Sequence, residues 1–132
     1  MSLSDQFCVK RHKKSFFDLV NNKLDIVFAN EQEILSLIDT KSFDEIISFG
    51  KQLGKLLVIT RGKKGSITIQ KSEVFECDSK KDLKIVDLTG AGDLFAAGFL
   101  HGYVNNLSIK ESLEKGTEMS SKIIQKIGAR LK

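Results

Sequence analysis

An α/β fold, with a largely parallel sheet, an antiparallel hairpin at its edge and flanking helices, is predicted by three features of this sequence. Two short, nearly continuous apolar runs, residues 25–29 and 55–60, are separated by helical periodicity, as in buried strands joined by a crossover. Residues 66–70 alternate in polarity, as does the run through Val74, Phe75 and Cys77, and Lys71-Ser72-Glu73 between them reads as a hairpin turn. A third apolar run at Ile85-Val86 leads into a Gly-rich turn and then a helix.

The first helical segment, residues 4–23, opens on Ser4-Asp5 and carries Phe16, Leu19 and Val20 on its apolar side, with Phe17 beside them. Arg11, His12, Lys13 and Lys14 crowd its early turns and read as a solvated basic face. The strand at 25–29 runs directly into Asn30-Glu31-Gln32-Glu33, followed by Ile34, Leu35, Leu37 and Ile38 at helical spacing. Asn30 is placed to cap that helix, and Glu33 completes an approximate capping box. A second helix from about Ser42 to Leu53 turns Phe43, Ile46, Ile47 and Leu53 inward and stops at Gly54. With the strand at 55–60 it closes a βαβ unit, for which a right-handed crossover is expected.

Beyond the hairpin, a polar loop at 78–82 leads to an expected strand at Lys84-Ile85-Val86. A helix starting at about Gly92 continues through Phe95, Phe99 and Leu100 to about Tyr103, packed closely where Ala96, Ala97 and Gly98 permit it. Asn105-Asn106 breaks it. Ser108 then caps a last helix carrying Ile109, Leu113, Met119, Ile123, Ile124 and Ile127 and ending near Gly128.

With 132 residues, 41% of them hydrophobic, the chain is expected to form a single domain over 1–132. No apolar run approaches the eighteen or so residues of a membrane span, and the N-terminus lacks a signal-peptide pattern. A cytoplasmic protein with no membrane partner is expected, and Met1-Ser2-Leu3 reads as a short cloning leader. Cys8 and Cys77 lack CxxC spacing and are read as free thiols, while His12 and His101 show no ligand spacing for zinc. The net charge of +4 and pI of about 9.1 are carried mostly by Lys. No aromatic-and-basic stripe accompanies Arg11, Arg61 and Arg130, so a nucleic-acid partner is not expected, and a preference for anionic small molecules remains.

The turn at 87–93 carries the chemistry. A strand feeding Thr89-Gly90-Ala91-Gly92-Asp93 at a helix start leaves backbone N–H groups unpartnered where the helix dipole is positive, which suits an anion. Gly90 and Gly92 carry no Cβ, so a phosphate can approach the backbone, and the Asp93 carboxylate stands beside the same amides as a general base.

The run from Asp87 to Phe95 resembles the D-T-x-G-A-G-D-x-F signature of the ribokinase-like (PfkB) carbohydrate and nucleoside kinases, with Leu88 where Thr is usual. Asn30-Glu31-Gln32-Glu33 resembles that family's N-x-x-E element, and Thr60, Gly62 and Gly65 its T-x-G-x-x-G turn. The Ser4 to His12 segment is similar to one found in adenosine-kinase-like members, with Gln6 where Pro is common. The resemblance implies a partial ribokinase-like, Rossmann-like three-layer fold in which these loops gather at the carboxyl edge of the sheet. It also implies the nucleotide-binding carboxyl-terminal half of an ATP-dependent kinase acting on an alcohol of a sugar or nucleoside.

On that resemblance Asp93 is the base, and the amides of Gly90, Ala91, Gly92 and Asp93 stabilise the transferring phosphoryl group. Thr60, Gly62, Gly65 and Thr89 line the nucleotide phosphates, and Asn30 and Glu33 organise Mg²⁺ through water. Family members are about twice this length, so a truncated or non-catalytic remnant that binds nucleotide or self-associates through an exposed sheet edge or apolar face stands as the alternative. A dinucleotide-binding G-x-G-x-x-G is disfavoured, because Phe95 stands where its third small residue belongs.

Overall fold

The computed structural model describes residues 1–3 and 6–128; the expected helix opening at Ser4-Asp5 lies outside the described residues, as does Arg130. The chain forms two compact units, one comprising residues 1–61 and 68–74, the other residues 62–67 and the chain from Phe75 onward.

In the first unit, β1 (Ile26–Asn30) and β2 (Leu56–Thr60) pair in parallel, with Ile26 opposite Leu56 and Asn30 opposite Thr60. Both are apolar because both faces are covered: Val27, Leu57 and Ile59 are wholly buried, and Val58 nearly so. Residues 1–3 lie against β1. Phe28 N–H donates to the Met1 carbonyl at 2.8 Å and Leu3 N–H to the Phe28 carbonyl at 2.9 Å, and the Leu3 side chain is buried. The expected helical segment at 4–23 is broken into α1 (Gln6–Arg11), α2 (Lys13–Asp18) and a π-helical turn at Leu19–Lys23. The break falls at His12, whose backbone (φ −118°, ψ 31°) leaves the helical region.

The crossover is helical, as its periodicity requires. It consists of α3 (Glu31–Ile38), which packs on β1, and α4 (Phe43–Leu53), which contacts α3. Asn30 Oδ1 accepts from Glu33 N–H at 2.8 Å and Glu33 Oε2 from Asn30 N–H at 2.9 Å, which is the expected capping box. α4 stops at Gly54, whose φ of 68° a Cβ would disfavour. On the inner face of α4, a Cβ at Gly50 would meet Ile69 Cδ1 at 2.8 Å, so the missing side chain sets how closely the helix lies on residue 69.

The hairpin also forms, as β3 (Ser66–Gln70) and β4 (Glu73–Cys77), and the strand order is β1-β2-β3-β4. The α/β class is as expected; among the strands of the described residues β1 and β2 are the parallel pair and the other pairings are antiparallel. The expected strand at Lys84-Ile85-Val86 is irregular. The Val86 and Asp87 amides both donate to the Ile124 carbonyl, at 2.7 and 3.2 Å, instead of entering a ladder.

In the second unit, α5 (Ala91–Val104) and α6 (Ile109–Ile123) form a tightly packed helix pair. Its closeness comes from glycines on both helices. A Cβ at Gly98 would lie 2.6 Å from the Lys115 carbonyl oxygen, and one at Gly116 2.8 Å from that of Phe95. Ala97, expected to help this packing, is exposed. Phe99 and Leu113 are fully buried. Ser108 Oγ accepts from Glu111 N–H, and the Glu111 carboxylate accepts from Ser108 N–H, holding its pKa below the ordinary value. The helix ends earlier than its periodicity implied: Ile124 and Ile127 lie beyond it, with Ile127 exposed.

Candidate nucleotide site

In the first unit, the carboxyl ends of β1 and β2 bring Asn30 and Thr60 into register. Asn30 Oδ1 is occupied by the capping bond, and Glu33 is buried, with one carboxylate oxygen already on Asn30 N–H. Among the described residues no group of three His, Cys, Asp or Glu side chains could hold a metal ion. This donor set does not make a metal cage. A magnesium ion held by Asn30 and Glu33 would therefore have to keep most of its water. The Thr60 hydroxyl has no hydrogen-bond partner among the described residues. Arg61, next in the chain, lies with its guanidinium carbon 3.7 Å from the centroid of the Phe43 ring and its Nε 3.5 Å from Glu31 Oε2.

In the second unit, Gly62–Lys64 form one turn of 3₁₀ helix, and Gly65 N–H donates to the Gly62 carbonyl at 3.1 Å. Gly62 (φ 57°) has open space where a Cβ would stand. Gly65 (φ 89°) has none, since a Cβ there would overlap the Cys77 carbonyl oxygen and come within 3.0 Å of Asp78 and Ser79. Ser79 Oγ donates to the Lys63 carbonyl at 2.7 Å, so residues 62–65 are clamped to the chain leaving β4.

The turn into α5 is held by Asp87. Its Oδ1 accepts from Thr89 N–H at 2.8 Å and from Thr89 Oγ1 at 2.6 Å, and its Oδ2 accepts from Gly128 N–H at 2.9 Å. The Thr89 hydroxyl leads, followed by the two amides, in holding the Asp87 carboxyl below its ordinary pKa. Aspartate at the start of such a turn is a legible signal, because its side chain mimics a backbone turn two residues on. Gly90 follows with φ 77° and α5 begins at Ala91. Of the four consecutive amides expected to face an anion, that of Ala91 donates to the Leu88 carbonyl at 3.2 Å. The N–H groups of Gly90, Gly92 and Asp93 have no acceptor among the described residues, and nothing lies within 4 Å of where a Gly92 Cβ would stand. The Asp93 side chain is exposed and likewise unpartnered among the described residues. The Leu88 side chain, exposed, adds no polar atom to the turn, to which the residue contributes its backbone carbonyl.

Comparison with known proteins shows the family to which the chain belongs. Residues 4–132 match the pfkB family of carbohydrate kinases, and the chain belongs to that family. It is 36% identical over 109 residues to a cytidine kinase of Thermococcus kodakarensis, covering 81% of this chain and 39% of that protein. Among solved structures it is similar to a probable sugar kinase from Rhizobium etli, at 40% identity and a TM-score of 0.94, over 98% of this chain and 40% of the other. It is equally similar to an adenosine kinase from Sinorhizobium meliloti, at 39% identity and a TM-score of 0.95, over 99% of this chain and 40% of the other. The chain thus spans about two fifths of the length of these relatives.

Proposed function

We propose that this chain is the nucleotide-binding, carboxyl-terminal half of a cytoplasmic ATP-dependent kinase that phosphorylates an alcohol of a sugar or nucleoside. The observation that carries the reading is the turn into α5, where three amides without acceptors among the described residues adjoin an open Gly92 and an Asp93 carboxylate likewise unpartnered among them. That arrangement lies within the stretch of the chain that matches the pfkB family.

In this reading Asp93 accepts the proton of the acceptor hydroxyl as its oxygen attacks the γ-phosphorus and ADP departs. The amides of Gly90, Gly92 and Asp93 stabilise charge on the transferring group, while Ala91 fixes the turn through Leu88. Thr89 acts through Asp87 by holding the shape of the phosphate turn. Thr60, Gly62 and Gly65 line the nucleotide phosphates, Gly65 by keeping its loop against residues 77–79. Asn30 and Glu33 hold the hydration shell of Mg²⁺, which when bound offsets phosphate charge.

Titration calorimetry of the chain with MgATP tests this reading. Saturable binding weakened by Gly92→Val is expected. No binding by a chain shown by circular dichroism to be folded would overturn it. The second reading, a non-catalytic module that self-associates, draws on the exposed apolar side chains of Ile85, Val86 and Leu88 in the segment before the turn. Analytical ultracentrifugation separates the two: concentration-dependent dimerisation without nucleotide binding would favour the module.

A further inference from the structure

Arg61 is not one of the residues singled out above for phosphate binding, yet its surroundings are those of an anion receptor. Its guanidinium lies over the Phe43 ring, which restrains the plane of the group while leaving its edges available for in-plane hydrogen bonds. Glu31 approaches only Nε, at 3.5 Å, the outer limit of a hydrogen bond, so it orients the head without saturating it. Among the described residues the Nη atoms meet no acceptor. The Arg61 side chain is 19% exposed and that of Glu31 22%, so the charge is partly withdrawn from water, where a counter-ion gains most.

The neighbours of Arg61 point the same way. Thr60, immediately before it, has a hydroxyl with no partner among the described residues, and Asn30 lies opposite Thr60 in the β1–β2 register. The Asn30 Oδ1 is occupied by Glu33 N–H, and the amide Nδ2 meets no acceptor among the described residues. A guanidinium, a hydroxyl and a carboxamide NH₂ at one strand edge, with donor capacity unspent, complement a ligand rich in acceptor oxygens.

We propose that Arg61 is the phosphate-receiving cation of this edge, binding the polyphosphate of the nucleotide with help from Thr60 and Asn30. Phe43 and Glu31 are its positioning residues. The inference rests on the nucleotide reading only for the identity of the phosphate's carrier.

Calorimetric titration of the full chain with MgATP and, separately, with inorganic tripolyphosphate tests it. Arg61→Met keeps an apolar stem over Phe43 but removes the charge, and should weaken both ligands by about tenfold, the equivalent of a lost charge-assisted hydrogen bond. Arg61→Lys should recover part of that loss, and Glu31→Gln, which leaves Arg61 in place but unneutralised, should tighten tripolyphosphate. A folded Arg61→Met chain that binds both ligands as tightly as the parent would overturn the inference while leaving the nucleotide reading standing. Arg61-dependent binding of tripolyphosphate without binding of MgATP would do the reverse. Failure of the parent chain to bind either ligand would remove both. Should Arg61→Met fail to fold, the Glu31→Gln titration decides, and unchanged tripolyphosphate affinity there counts against the role.

Discussion

Gly65 lies so close to Cys77 that a Cβ built on it would overlap the Cys77 carbonyl oxygen. Its φ of 89° adds a second reason for glycine, because an L side chain is strained there whatever the space. Gly65→Ala is therefore expected to cost about 2–4 kcal/mol of stability, the sum of left-handed backbone strain and overpacking. Thermal or urea unfolding measures it. A change of less than about 0.5 kcal/mol, within the range of neutral surface substitutions, would show that residues 62–65 relax away from β4.

Gly92 presents the opposite case. It lies in the first turn of α5 with nothing within 4 Å of a built Cβ, so folding places no steric demand on its being glycine. Gly92→Ala should leave stability unchanged or raise it by up to about 1 kcal/mol, since alanine is the better helix former. MgATP affinity should nevertheless fall, because the added methyl adjoins amides that lack acceptors among the described residues. Unfolding and calorimetry on one preparation check both halves, and a variant that is both stabler and equally tight-binding would remove Gly92 from the site.

The residues that the sequence made legible are those whose signals are local. Asn30 and Glu33 are separated by the three positions that a capping box needs, and the box forms; Ser108 caps its helix as expected, and Glu111 completes a second box there. Residues 26–30 and 56–60 have the unbroken apolar character of covered strands. Ile85-Val86 has the same character, but the Ile124 carbonyl, far along the chain, takes the Val86 and Asp87 amides. No local pattern encodes that competition, and the same bonds accompany the early stop of α6. The role of Gly102 was equally hidden, since its closeness to Ser112 depends on how two helices cross. Arg61 gave no sign beyond its charge, because its partners Glu31 and Phe43 are remote in sequence.

The helix pair offers a test of packing that does not touch nucleotide chemistry. Gly98 faces the Lys115 carbonyl and the Gly116 backbone at 2.6 to 3.0 Å from a built Cβ, and backbone cannot swing aside as a side chain can. Gly98→Ala should cost about 1–3 kcal/mol after overpacking is set against improved helix propensity. Gly54→Ala serves as a comparison from the first unit: a Cβ there meets nothing within 4 Å, and its φ of 68° leaves backbone strain alone, about 1 kcal/mol. Equal losses from the two would contradict the close approach of α5 and α6.

Asp87 should make the turn acid-sensitive. Its carboxyl is held below the ordinary value chiefly by the Thr89 hydroxyl, then by the Gly128 and Thr89 amides. A depressed folded-state pKa means that the carboxylate's contribution is complete above the unfolded value, near pH 4, and is lost as pH falls through the folded value. Loosening of the turn on acidification should therefore begin below about pH 4, and Asp87→Asn should carry the same defect at neutral pH. Amide exchange or NMR shifts at Thr89 and Gly128 report it directly. Identical Thr89 shifts in the Asn variant at pH 7 would show that the charge does not hold the turn.

Asp93 carries the chemical prediction. It sits in the first turn of α5, exposed, with no hydrogen-bond partner among the described residues, so no fold-stabilising contact in that set is lost when its charge is removed. Asp93→Asn removes a helix-dipole interaction worth about 0.3–1 kcal/mol while keeping the side chain's size. Stability and MgATP affinity should therefore stay close to those of the parent, and affinity should if anything rise as a negative charge leaves the neighbourhood of the phosphates. Phosphoryl transfer to a sugar or nucleoside, wherever the parent chain or a longer form containing it supports turnover, should fall by about 10²–10⁴, the range of a lost general base. Turnover and binding must be measured on the same protein, because only their separation identifies a base. Loss of both together would mean that Asp93 organises the turn, and retention of both would move proton abstraction to another group.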